Sequence, residues 1–326
     1  MTLSWGVAGT GRIARDVGGI IARHPRMRVA AVASRDLGRA EGLAAELGGG
    51  RGRGYASYRE LVEDPEVQAV YVATPHSEHA AVVEPALRAG RAVLCEKPMT
   101  HDLAETERLV ALAAETGAFL MEGMWMRFNP LVRQLHDLIA DGRLGEIRSL
   151  RACFGFPAAY DAAGRLWDPA LGGGALLDLG VYAVDLARLL LGTPSSLLAR
   201  GSYAPTGADA EAGLLLSWPS GAHATLEVSL LAQLPGTATV VGSAGWAEIG
   251  PSFHAPMQLV VRRAGEDAQT HTIDDRQAGF TGELEEVEHC LLAGFAQSTV
   301  MPWSETVGTM RLLHQARVLL AEQVPG

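Results

Sequence analysis

Three stretches of this chain have the residue types and spacing for chemistry. The first is Val93-Leu94-Cys95-Glu96-Lys97-Pro98, an apolar run that reads as a buried strand and ends in a carboxylate, an ammonium and a proline. Ligands of open α/β sheets bind at the carboxyl ends of strands, so Lys97 stands where a cofactor or substrate would be met. The proline forbids helical continuation and keeps the lysine backbone extended. The same triplet also suits an ordinary strand-to-helix turn. The second stretch is Gly9-Thr10-Gly11-Arg12-Ile13-Ala14, a G-x-G-x-x-A run after a strand-like Leu3 to Ala8 and before a helical pattern through Ile21. There Gly9 permits a tight turn, Gly11 lets the backbone approach a pyrophosphate, and Ala14 permits close helix packing, while the first helical amides face the anion. The third is Leu171-Gly172-Gly173-Gly174-Ala175-Leu176-Leu177-Asp178-Leu179-Gly180-Val181-Tyr182. Its glycines permit close approach of backbone to a ligand, and a helix after them carries Asp178 and Tyr182 at i and i+4 on one face. A helix-start carboxylate and a packed tyrosine are the plainer reading of that pair.

The second strand, Val29 to Ala33, ends in Ser34-Arg35, with Arg39 one turn further on. A hydroxyl and two guanidinium groups suit the 2'-phosphate of NADP. NAD is the alternative, because Asp36 offers a carboxylate to the ribose after a shift of one residue. A third strand, Ala69 to Ala73, ends in Thr74-Pro75-His76-Ser77-Glu78-His79, where the backbone of Thr74 and Pro75 is set to line the cofactor groove. His79 either contacts the cofactor or sits in the first turn of the next helix.

These stretches need a β-α alternation to hold them, and the sequence supplies it. A helix from Leu103 to Thr116 and a strand from Ala118 to Met121 complete the pattern of a doubly wound parallel sheet, a Rossmann domain over residues 1–122. Residues 123–326 read as an α+β domain with a large, mainly antiparallel open sheet, with strands at Ile147 to Phe156, Gly213 to Trp218, Ala224 to Leu231, Ala238 to Val241 and Gln258 to Arg262. A length of 326 residues is consistent with two such domains. A formal net charge of -10 without a basic block argues against nucleic acid or an anionic membrane as partner. Three scattered cysteines fit a reducing cytoplasm and no metal site, and no apolar run reaches the length of a membrane span.

Taken together and in order, these motifs resemble the glucose-fructose oxidoreductase/inositol dehydrogenase/MocA family of nicotinamide-dependent oxidoreductases. Within it, Met121-Glu122-Gly123-Met124-Trp125-Met126-Arg127-Phe128 and a tail with Met301-Pro302-Trp303 are closest to the branch of dihydrodiol dehydrogenases and NADP-dependent D-xylose dehydrogenases. The resemblance covers nearly the whole chain. It implies that Lys97 is the active-site lysine and Asp178 the helix aspartate, and that Tyr182, at a position where many members carry histidine, is the general acid/base. A phenol is a poor base at neutral pH, and a neighbouring ammonium stabilises its anion. Lys97 would thus tune Tyr182 and Asp178 would orient Lys97 or a second hydroxyl. The dinucleotide would lie on Gly9, Thr10, Gly11, Arg12, Ile13, Ser34, Arg35, Arg39, Thr74, Pro75, His76, His79, Glu96, Lys97 and Arg165. Trp125, Arg127 and Phe154 would line the substrate pocket, with Phe280 ahead of a helix at Leu284 to Ala293. The substrate implied is a cyclic polyol, an aldose or a trans-dihydrodiol, and the assembly a homodimer or a dimer of dimers. Two other activities compete: NAD-dependent glycoside cleavage through transient oxidation, and a non-catalytic nucleotide sensor.

Overall fold

The computed structural model describes residues 2–322. Strands and helices alternate from the start: β1 (Leu3–Ala8), α1 (Arg12–Arg23), β2 (Met27–Ala33), α2 (Leu37–Leu47), β3 (Arg53–Tyr55), α3 (Tyr58–Glu63), β4 (Ala69–Val72), α4 (His79–Arg88), β5 (Ala92–Glu96), α5 (Leu103–Thr116) and β6 (Leu120–Gly123). The six strands form one sheet in the order β3-β2-β1-β4-β5-β6, parallel throughout. Chain direction across the sheet reverses between β1 and β4, and dinucleotides bind in the crevice at such a switch point. Strands β4 and β5 are buried along their whole length, as strands covered by helices on both faces must be. Helix α1 buries Ala14, Val17, Gly18, Ile20 and Ile21, a stripe at helical spacing.

The second sheet follows α6 (Pro130–Ala140) and is built from β7 (Ile147–Gly155), then, after α7 (Val181–Leu191), β8 (Ser196–Tyr203), β9 (Asp209–Ser217), β10 (His223–Ser229), β11 (Ala238–Gly242), β12 (Gly245–Ile249), β13 (Gln258–Arg263) and β14 (Gln269–Thr272). Its order is β14-β13-β12-β11-β7-β10-β9-β8. All neighbours are antiparallel except the central pair β7 and β10, which run parallel. Burial alternates along β8, β9 and β10, so one face is packed and the other exposed. Strands β8, β12 and β14 are absent from the sequence expectation.

The chain ends in α8 (Ala278–Ala293) and α9 (Trp303–Ala321). Compact packing divides the molecule differently from the expected 1–122 and 123–326: one unit comprises Met1–Met124 with Phe280–Thr306, the other Trp125–Gly279 with Val307–Gly326. The physical reason is local. Leu120 N–H donates to the Ala296 carbonyl at 3.1 Å, the Trp303 indole donates to the Leu120 carbonyl at 2.9 Å, and Arg26 holds the Glu288 carboxylate through both oxygens. The stretch from Phe280 therefore completes the first unit.

Candidate active site

In the first unit, Gly9 ends β1 with φ +117, and a Cβ there would lie 2.5 Å from the Ala73 carbonyl oxygen. Only glycine permits β1 and the segment after β4 to approach so closely. A Cβ on Gly11 would meet nothing within 4 Å, and Gly11 starts α1 with no side chain capping its amides. Open space over uncapped helical amides is what a pyrophosphate requires. The Thr74 hydroxyl oxygen, at the end of β4, is buried without a hydrogen-bond partner among the described residues. Those observations fit a dinucleotide lying over the switch point.

At the end of β2, Thr10 donates its hydroxyl proton to the Ser34 hydroxyl at 3.4 Å. Asp36 is the N-cap of α2, accepting from the Arg39 amide at 3.0 Å. The carboxylate that could have met the ribose is thereby used on the backbone. Arg35 is exposed, and so is Arg39, whose guanidinium lies 3.5 Å from Asp36.

His79 has a different setting from the cofactor contact raised above. It is fully buried, with Nε2 2.9 Å from the Thr74 carbonyl and Nδ1 3.1 Å from that of Pro98 and 3.2 Å from that of Met99. An imidazolium could donate to both sides, yet burial, with help from the Lys97 charge, pushes the ring down to about 4. Neutral His79 has a single N–H, which donates either to the Thr74 carbonyl or to the Pro98 and Met99 carbonyls. His76 is half-buried beside it, the two rings 5.7 Å apart.

Glu96 closes β5 with its carboxylate on the Tyr71 hydroxyl, which donates at 2.5 Å, and on the Lys97 amide at 3.3 Å. The geometry thus gives Glu96 to the backbone turn that carries Lys97. Pro98 and Met99 continue that turn, the Met99 amide donating to Glu122 at 3.0 Å. Fully buried Glu283 of α8 lies over Gly123, where a Cβ would come 3.6 Å from its Oε2. Burial, and then the charge of Glu96, hold its carboxyl well above the usual carboxylate range. Phe280, the remaining pocket candidate, is half-buried within α8 of this unit rather than ahead of a helix.

In the second unit, Tyr182 opens α7 directly after a π-helical turn, Leu176–Gly180, that holds Asp178. The widened turn replaces the regular helix expected between the two residues, and such turns recur at functional sites. Arg165, whose side chain remains exposed, donates to Asp178 at 2.9 Å, so this arginine meets the helix aspartate. Around Tyr182 stands an aromatic group. The Trp125 indole donates to the Tyr182 oxygen at 2.9 Å, Phe154 of β7 lies 6.2 Å away, and His254 lies 5.0 Å away. His254 stacks on Phe154 at 4.3 Å and 24°. It was not foreseen: its loop has no motif, and only the neighbouring Phe253 could have drawn attention to it.

Arg127 does not line this group. It is buried and forms two bonds of 2.8 Å to Asp185, an ion pair inside the unit. The glycine run also differs from expectation. A Cβ on Gly173 would lie 2.8 Å from the Asp168 carbonyl, and one on Gly174 2.3 Å from Asp209. The close approach is to the protein's own loop and carboxylate. Asp209 accepts the Leu176 amide at 2.6 Å and fastens the turn that carries Asp178. Among the described residues no group of three or more His, Cys, Asp or Glu side chains could hold a metal.

Two family models match the chain: an oxidoreductase family, NAD-binding Rossmann fold, over residues 3–124, and the GFO/IDH/MocA C-terminal domain over residues 132–248. The chain is 36% identical to trans-1,2-dihydrobenzene-1,2-diol dehydrogenase of Mus musculus and 35% identical to that of Homo sapiens, each over all of this chain and 99% of the relative. Its fold matches a crystal structure of aldose-aldose oxidoreductase from Caulobacter crescentus with a TM-score of 0.89 and 26% identity, covering 99% of both chains. It matches a 3-ketoreductase from Actinomadura kijaniata, crystallised with NADP and TDP-benzene, with a TM-score of 0.87 and 29% identity over 98% of both.

Proposed function

Because the chain belongs to the GFO/IDH/MocA family of NAD(P)-binding oxidoreductases, we propose that it moves hydride between NADP and a CH–OH or carbonyl carbon of a cyclic substrate, with Tyr182 as general acid/base. The observation that carries this reading is the Tyr182 phenol, buried in an aromatic group and bonded at its oxygen by Trp125. A tyrosine serving only to fill a core would have no need of a flanking imidazole, His254, and a carboxylate one turn earlier. Bound nicotinamide supplies the hydride acceptor or donor. The protein's part is positioning and proton transfer. Tyr182 takes the hydroxyl proton in oxidation and returns it in reduction. Asp178, held by Arg165, orients a second substrate hydroxyl, and Lys97 supplies the ammonium that the family motif assigns to it.

NADP is favoured by Ser34, Arg35 and Arg39 at the end of β2, now that Asp36 is bound to its own helix. The aromatic walls suit the faces of a pyranose or a flat carbocycle, in keeping with relatives named for a dihydrodiol and for aldoses. The exposed sheet face carries Leu198 opposite Leu215, 62% and 38% exposed. That apolar pair supports a homodimer through this face. Free Cys95, Cys153 and Cys290 suit a reducing cytoplasm.

The test is a panel of aldoses, inositols and trans-dihydrodiols with NADP or NAD, followed by the absorbance of reduced nicotinamide. Turnover with NADP by the wild type, and its loss by about a hundredfold in Tyr182→Phe, is expected for removal of an acid/base group. A Tyr182→Phe variant within a few-fold of wild type would sink the assignment.

A further inference from the structure

The Trp125–Tyr182 contact has a direction. An indole N–H can donate and cannot accept, so the phenol oxygen is the acceptor, and the phenol's own proton is not spent on this bond. Both partners are buried, at 8% and 5% exposure, and the 2.9 Å separation is a normal hydrogen-bond length. The rings meet edge to face, 6.1 Å apart at 85°, a geometry that aims the indole edge at the phenol. When the phenol loses its proton, the same bond becomes charge-assisted and roughly twice as strong. A donor of this kind favours the anion over the neutral acid.

We propose that Trp125 is a positioning residue for proton transfer, its indole N–H stabilising the phenolate form of Tyr182. This rests on the acid/base reading of Tyr182 and adds to it a role that pocket lining does not require. The position of the indole is itself built into the fold. Gly279 faces Trp125, and a Cβ there would lie 2.5 Å from the Trp125 carbonyl oxygen and 3.1 Å from its ring. Other titratable or charged groups of the second unit bear on Tyr182: His254 beside its ring, Asp178 with Arg165 one turn before, and Asp185 with Arg127 one turn after. Of these, His254 also meets the Trp125 ring edge to face, 5.6 Å apart at 90°.

The experiment follows ionisation of Tyr182 by tyrosinate absorbance, as the difference between wild type and Tyr182→Phe, and again between Trp125→Phe and the double variant. Loss of the donor should move the Tyr182 transition up by about one pH unit, a tenfold change in the ionisation constant. With NADP and trans-1,2-dihydrobenzene-1,2-diol, the rising arm of the oxidation profile should move by the same amount relative to its own plateau, whatever the height of that plateau. Packing alone would lower the rate equally at every pH. An unmoved or downward-shifted Tyr182 transition overturns the proposal. A measurement that needs no variant at position 125 stands beside it: one of the six indole N–H resonances of the wild type should move in step with tyrosinate formation, and that movement should vanish in Tyr182→Phe. If no indole resonance follows it, the bond has no role in the ionisation. Full activity of Tyr182→Phe would instead overturn the acid/base reading itself, so the two failures are distinct.

Discussion

Asp209→Asn isolates one carboxylate beneath the turn that carries Asp178. Asp209 is 5% exposed and accepts the Leu176 amide at 2.6 Å. Burial raises its carboxyl from 3.8 to about 6, against the opposing pull of the Leu176 amide, the Arg317 charge and the amides of Asp209 and Ala175. A folded value above the unfolded one means that the native state holds the proton more tightly. Below pH 4 the group is protonated in both states and costs nothing. As pH rises through 4 to 6 the unfolded chain releases its proton first, and native stability falls. Above 6 the loss is complete, about 3 kcal/mol for a shift of roughly two units. Asparagine keeps a carbonyl oxygen for Leu176 and never ionises. Urea unfolding of wild type and Asp209→Asn across pH 4.5 to 8 should show the difference in unfolding free energy moving toward the variant by about 2 kcal/mol, the part of the swing lying in that window. A difference independent of pH would show that the amides and Arg317 match burial. A difference that moves toward the wild type with rising pH would show that they outweigh it.

Three further outcomes follow from the site and its supports. His79 has the opposite sign: its folded value of about 4 lies below the ordinary 6.5, so stability should fall by up to about 3 kcal/mol as pH drops through that interval, and urea unfolding of His79→Gln should lack that loss. Gly9→Ala places a Cβ against the Ala73 carbonyl at a φ of +117, and fluorescence titration should show NADPH binding at least tenfold weaker. Asp185→Ala leaves the Arg127 guanidinium, 2% exposed, without its carboxylate; unfolding should become easier by about 3 to 5 kcal/mol, and Arg127→Met in the same chain should restore part of it.

The first unit was readable because its chemistry is written locally. A glycine turn, a strand end and a helix start follow one another within Val7 to Ala14, and β4 and β5 are apolar runs buried on both faces. Strand β8 was missed because only Leu197 and Ala199 are buried in it while Arg200, Gly201 and Ser202 break its pattern. Strand β12 has five residues and begins at Gly245, which reads as the end of a turn. The roles of Arg127 and Arg165 depend on partners 58 and 13 residues away, and nothing in a linear motif marks which carboxylate an arginine will find. His254 is similar: its stack on Phe154 joins a loop after β12 to the middle of the sheet. The aspartate and tyrosine of the glycine-rich stretch were legible as residues, and the π-helical turn between them was not.

The first unit is sewn from two stretches separated by 155 residues of the other, Trp125–Gly279. During vectorial synthesis the parallel sheet therefore leaves the ribosome with its β6 edge unfinished. The Leu120 amide waits for the carbonyl of Ala296, and Arg26 for Glu288. An unpaired strand edge is an invitation to pair with another chain, so the interval between residues 124 and 306 is the one in which a chaperone would matter most. The same arrangement governs dissection of the protein. A fragment cut after Met124 lacks the Phe280–Thr306 part of the first unit, whereas one that joins Met124 to Phe280 through a short linker and runs to Thr306 carries both of its segments.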